Sequence, residues 1–247
     1  MQSDHFFSEL AGDSDRPLLF IHGFNVVFED AIRRTAQLAY DLSVTGNILS
    51  FSWPSYGGVG NYLADLNNNE RSIPQLRKFL VDLKTNSGIE EINVIAHSMG
   101  NQVFTKALAS LEDNAEVPRM NQVILAAPDI DRFVFEQEIA SRLQRVHPER
   151  VTLYASTKDK ALSTSGQLWS GERAGYISAA GIVTAGGIDS IDVSRVEAGW
   201  MSYIDLNHSA YGDELIDDMF LLLRHGHSPT DRNLLESNNG KFWIIPR

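Results

Sequence analysis

The chain has 247 residues, 43% of them hydrophobic, which is enough to bury the core of one ordinary α/β domain. A formal net charge of −11 argues against a nucleic-acid partner and against docking on anionic membranes, because both need clustered Lys and Arg. With no cysteine, disulfides, thiol nucleophiles and thiolate metal sites are excluded, and the composition suits a reducing compartment.

Residues 1–16 form a short acidic segment with neither the basic start nor the apolar stretch of a secretory signal. No apolar run has the length of a membrane span, so no integral membrane segment is expected. The chain reads as cytoplasmic, unless it derives from a longer precursor.

Five short apolar runs follow: Leu18 to Ile21, Ile48 to Phe51, Ile92 to Ala96, Val123 to Ala126 and Val151 to Tyr154. Near-continuous runs of this length mark strands buried on both faces. Helical stripes lie between them: Ala31, Thr35, Leu38, Ala39 and Leu42; then Leu76, Phe79, Leu80 and Leu83; then Val103, Ala107, Leu108 and Leu111. One further helix is expected within Phe133 to Arg145, a sixth strand over Ile188 to Val193, and a last helix from Asp213 to Arg224. The tail, 225–247, reads as irregular. Alternating strand and helix predict an α/β fold with a mostly parallel sheet and helices on both faces, in a single domain over 1–247.

Chemistry concentrates where the third strand meets its helix. Only His97, Ser98 and Met99 separate Ala96 from Gly100. So tight a turn strains its central residue, needs small residues on either side, and lifts the Ser98 side chain above the sheet edge. A helix-capping Ser near a Gly would explain the five residues alone; the strand–turn–helix context favours a nucleophile. The turn resembles the nucleophile elbow of the α/β-hydrolase fold, in which the triad follows the chain order Ser, acid, His.

That order organises the remaining candidates. His22-Gly23 ends the first strand, and the next N–H, that of Phe24, is the expected oxyanion donor beside the N–H of Met99. His22 precedes Ser98 and so reads as a structural histidine of the loop, while Asn25 either braces that loop or caps the next helix. His208, between the last strand and the last helix, is the expected base. His225 and His227 follow that helix, His147 lies in a connector, and His5 is terminal. Asp159, just past the strand ending near Ala155, is the expected acid. Asp129 and Asp131 are the rivals, with helix capping as their plain alternative. Trp53, Tyr56 and Tyr62, placed in the loop after the second strand, either wall an acyl pocket or pack that loop. The span between Ala127 and Val151 has no room for a large cap domain, so an open site is expected. The Gly-rich stretch 171–187 either flexes beside the acid loop or is merely irregular.

With these residues in view, the chain resembles the bacterial alpha/beta-hydrolase group of unknown function, whose members are regarded as serine esterases. Phe20 to Asn25, Ala36 to Asp41, Phe51 to Ser55, Ile95 to Asn101, Ala126 to Asp131, Ile191 to Ser194 and His208-Ser209 carry the resemblance. Members usually carry further N-terminal sequence and a Gly where this chain has Asn207. The resemblance implies the α/β-hydrolase fold and the Ser-acid-His triad, and names no substrate. The expected activity is cleavage of a small-molecule carboxylic ester through an acyl-enzyme, with no cofactor and no metal. A lipase or acyltransferase acting on lipid-like acyl groups is the alternative. A hydrolase-fold binding protein without catalysis is a third reading, disfavoured because each triad type is present.

Overall fold

A computed structural model describes residues 3–10, 16–111, 116–169, 171–196, 213–237 and 239–246. Six strands run parallel through the molecule: β1 (Leu18–Ile21), β2 (Ile48–Phe51), β3 (Glu91–His97), β4 (Arg119–Ala126), β5 (Arg150–Ala155) and β6 (Ile188–Asp192). Each covers its expected apolar run to within a few residues at either end. The helices are α1 (Ser3–Leu10), α2 (Phe28–Asp41), α3 (Tyr62–Ser87), α4 (Gly100–Ala109), α5 (Arg132–Val134), α6 (Ala140–Arg145), α7 (Lys160–Trp169) and α8 (Asp213–His225). A π-helical turn, Phe135–Ile139, joins α5 to α6, so this stretch is helical throughout.

Side chains alternate across the strands and feed two cores. Leu19 and Ile21 of β1, with Ile92, Val94 and Ala96 of β3, pack under Leu76, Leu80 and Leu83 of α3 and Val103, Phe104 and Ala107 of α4. Leu18 and Phe20, with Ile95, face the other way onto Leu38 and Leu42 and onto Leu215, Met219 and Leu222 of α8. A period of two in the strands and of about 3.6 in the helices thus produces two helical layers around one sheet.

Two expectations are corrected. Tyr62 does not lie in a loop; it opens α3, which runs to Ser87 with Pro74 inside it. The first half of this helix hid because its buried stripe, Asp65, Asn69 and Ser72, is polar and so leaves no hydrophobic period. The tail is not irregular throughout. A 3₁₀ turn at Pro229–Arg232 is followed by β7 (Leu235–Glu236) and β8 (Trp243–Ile244), and β8 pairs parallel to β6. Two-residue strands carry no periodicity to read, so only pairing defines them: β8 with β6, and β7 antiparallel with β8.

The sheet order is β2-β1-β3-β4-β5-β6-β8-β7. Because β1 to β6 are parallel, their exits share one edge. In register, Ile21 lies beside Ala96, His97 beside Ala126, and Ala155 beside Asp192.

Candidate active site

Ser98 stands between β3 and α4 with φ +49°, a left-handed conformation that costs a non-glycine residue on the order of 1 kcal/mol. Its neighbours show what holds it there. The Ser98 N–H donates to Ala126 O at 2.9 Å, and the Ser98 carbonyl accepts from Asp129 N–H at 3.2 Å. The Asn101 amide nitrogen donates to Ser98 O at 3.0 Å, to Ala96 O at 3.0 Å and to Ala126 O at 3.3 Å. The turn is therefore bolted to the next strand. Met99 N–H belongs to the first turn at the α4 N-terminus, where amides have no intrahelical partner and the helix dipole favours negative charge.

Backbone contact explains the glycines. A Cβ on Gly100 would lie 2.4 Å from His22 O and 2.7 Å from Ile21 O, so α4 starts flush against the end of β1. A Cβ on Gly23 would lie 2.8 Å from both Ser98 Cβ and His97 Nδ1. Only glycine lets the loop carrying Phe24 press this closely on Ser98.

That loop is rigid by construction. His22 is buried and stacks on Trp53 with ring centroids 5.0 Å apart and planes 9° from parallel. Its Nδ1–H donates to Gly23 O at 2.9 Å, a tautomer fixed by the carbonyl partner, and its Nε2 faces the Ser52 hydroxyl at 3.3 Å. Trp53 Nε1 donates to His22 O at 2.7 Å. Burial lowers the His22 pKa to about 4 and that of His97 to about 3, so both rings are neutral at pH 7. Asn25, at φ +59°, accepts from Gly58 N–H, whereas α2 is capped at Val27 without a side-chain bond. Asn25 therefore braces the loop. Trp53 packs it too, being buried, while Tyr56 is exposed.

The carboxylates divide by their partners. Asp131 accepts from Val134 N–H at 3.1 Å and caps α5. Asp129, buried, accepts from the Tyr62 hydroxyl at 2.7 Å and the Ser165 hydroxyl at 2.9 Å, and lies 3.3 Å from Arg173 Nε. Asp159, four residues beyond the end of β5, accepts from Leu162 N–H at 2.9 Å. Burial, with a smaller push from the Asp129 charge, raises its carboxyl above the ordinary aspartate range. His208 falls in the β6–α8 connection at a position outside the described residues, as 197–212 are not among them.

The Gly-rich stretch lacks helix and strand, yet it is docked. Gly175 N–H donates to Pro128 O and Ala174 N–H to Ile130 O, and a Cβ on Gly175 would meet the Ala127 backbone at 2.4 Å. Ser165 and Arg173 have no local sequence signal, and Tyr62 reads in the sequence only as an aromatic of its loop, because each meets Asp129 only through folding. Among the described residues, no three His, Asp or Glu side chains converge on a metal-sized site, and no helix is long and apolar enough to cross a membrane.

Strand order, elbow and loop together define the α/β-hydrolase fold. Within it, the chain belongs to the family described as alpha/beta hydrolase of unknown function (DUF900), which matches residues 2–220. Among solved structures it is similar to a lipase-esterase related protein from Clostridium acetobutylicum, at 11% identity and a TM-score of 0.45, covering 83% of this chain and 93% of that one. It is also similar to an extracellular alpha/beta-hydrolase from a Paenibacillus species, at 16% identity and a TM-score of 0.31, covering 46% of this chain. The match spans 41% of the Paenibacillus chain. No match was found among curated proteins.

Proposed function

We propose that the chain is a serine hydrolase that cleaves small-molecule carboxylic esters through an acyl-enzyme, with Ser98 as nucleophile, His208 as base and Asp159 as acid. The observation that carries this reading is the left-handed Ser98 with Gly23 pressed against it. A strained serine with a glycine loop at contact distance is what an oxyanion hole built from two backbone amides requires. Asp159 is preferred over Asp129 on the partners each carboxylate holds, and over Asp131 on its place just past β5. Asp129 has donors on both oxygens and a cation beside it, whereas Asp131 and Asp159 each accept from one helix-start N–H, and of these two only Asp159 follows β5.

In this mechanism His208 accepts the Ser98 proton as Oγ attacks the ester carbonyl, and the N–H groups of Phe24 and Met99 receive the oxyanion. The C–O bond breaks with the proton passing from His208 to the departing alcohol. Water then attacks the acyl-enzyme by the same route, giving the acid and regenerating Ser98. Asp159 orients the imidazole and balances its charge in both halves.

A fluorophosphonate probe should label wild-type protein at Ser98 and leave Ser98→Ala unlabelled and inactive on a p-nitrophenyl ester. An unlabelled wild type in its folded state refutes the proposal. Lipid-like acyl substrates are a second reading. Phe28, Leu63 and Phe133 favour it: they are 67%, 63% and 71% exposed on segments that follow β1, β2 and β4 at the edge bearing Ser98. That reading requires faster turnover of long-chain than of short-chain esters. Cytoplasmic location is part of the proposal, resting on the absence of cysteine, and cell fractionation tests it.

A further inference from the structure

The mechanism above gives no task to the buried polar cluster centred on Asp129. Its hydrogen bonds run in one direction. Arg173 Nε donates to the Ser165 hydroxyl at 3.2 Å, Ser165 donates to Asp129 Oδ1, and Tyr62 donates to Asp129 Oδ2. The Arg173 side chain is 9% exposed and that of Asp129 2%. An ion pair removed from water to this degree recovers little net stability after desolvation, so stability is a weak reason for its presence.

Its backbone connections point to another reason. Asp129 N–H holds the Ser98 carbonyl, and Gln102 Nε2 on α4 donates to Asp129 O at 2.6 Å. The Tyr62 ring meets Phe24 edge-on with centroids 5.2 Å apart. Ser165 belongs to α7, the helix whose first-turn Leu162 N–H donates to Asp159. One cluster therefore ties together the elbow, the oxyanion loop and the segment carrying the acid. The charged and titratable groups facing Asp129 come from separate elements: Tyr62 from α3, Arg173 from the Gly-rich segment, and Asp159 from the entry to α7.

We propose that Arg173 is a positioning residue of the catalytic edge, whose ion pair with Asp129 fixes the Ser98 elbow and cancels a negative charge beside Asp159. The inference rests on the acyl-enzyme reading for the task of Asp159. Without the cation, Asp129 acts on Asp159 and on the base as an uncompensated negative charge. A like charge raises a carboxyl pKa, and a negative charge raises an imidazole pKa. Both effects move the acid limb of activity to higher pH.

The test compares Arg173→Met, Arg173→Lys and Arg173→Met/Asp129→Asn with wild type, using pH profiles of kcat/KM on a soluble p-nitrophenyl ester. Arg173→Met should move the acid limb up by about one pH unit and lower the plateau by about tenfold. Arg173→Lys keeps the charge and should leave the limb at its wild-type position, as should the double variant, which removes both charges. A purely structural Arg173 would lower the melting temperature and leave the limb in place, and that result overturns the proposal. Should Arg173→Met fail to fold, Tyr62→Phe removes one donor from the same carboxylate and should move the limb in the same direction; an unmoved limb there also overturns it. Fluorophosphonate labelling separates the two readings. Wild type unlabelled at Ser98 refutes the acyl-enzyme, whereas labelled wild type with an unmoved limb in the variants refutes the role of Arg173 alone.

Discussion

Replacing Gly23 by Ala puts one methyl group into the contact between the oxyanion loop and the elbow. The added carbon would lie 2.8 Å from Ser98 Cβ, about 0.6 Å inside ordinary van der Waals contact, and 3.0 Å from His97 O. Neither side yields cheaply. Ser98 is tied to Ala126, Asp129 and Asn101, and the loop is tied through His22 to Trp53 and through Asn25 to Gly58. The strain should cost about 1–3 kcal/mol of stability, the usual range for an added buried methyl. Catalysis should suffer more, because a displaced Phe24 amide no longer meets the developing oxyanion. Loss of one such donor costs about 100-fold or more in kcat. The assay is kcat on a short p-nitrophenyl ester, paired with the rate of fluorophosphonate labelling of Ser98 and a urea melt. A Gly23→Ala protein with kcat within a few-fold of wild type would refute the placement of Phe24 in the oxyanion hole.

Three further outcomes follow from the same geometry. Ser98→Ala and Ser98→Gly should both be inactive, but the glycine variant should be more stable than the alanine variant by about 1 kcal/mol, because only glycine relaxes at φ +49°; equal urea midpoints would mean the elbow is not strained. Trp53→Phe leaves the buried His22 carbonyl without its indole donor and should cost about 1–3 kcal/mol in a urea melt.

The third outcome concerns pH. His22 and His97 have folded pKa values of about 4 and about 3, so their stabilisation is complete above pH 6.5 and fades as pH falls. Asp218, raised to about 6 by burial despite Arg232 and Tyr154 beside it, acts oppositely and returns stability as pH falls from 6 toward 4. The two histidines outweigh the single aspartate, so from these groups the protein should lose about 3 kcal/mol between pH 6.5 and pH 4. Denaturant melts across that range check this, and constant or rising stability toward pH 4 would contradict it.

How much of this was legible in the chain depends on how local each cause is. The apolar runs of β1 to β6 and the stripes of α2 and α4 could be read directly, because burial on both faces or on one face writes its own period into the residues. The elbow was equally legible: tight turn, small flanking residues and the serine between them are consecutive. The start of α3 was not. Its inner face carries Asp65, Asn69 and Ser72, chosen for partners such as the Ser55 hydroxyl, which donates to Asp65 at 2.5 Å, and Met99 O, which accepts from Asn69 at 3.0 Å. Polar residues matched to particular partners leave no period.

By itself the sequence determined the strand and helix alternation, the elbow at Ser98 and the His22-Gly23 loop, since each depends on neighbours along the chain. Only the tertiary structure decided which donors reach each carboxylate. Asp129, Asp131 and Asp159 are the same residue type at strand exits; the sequence favours Asp159 as the acid by its place after β5, but shows no partner for any of them. Folding brings Tyr62, Ser165 and Arg173 onto Asp129 and a helix start onto Asp131, because a carboxylate's role is set by the donors that reach it in space.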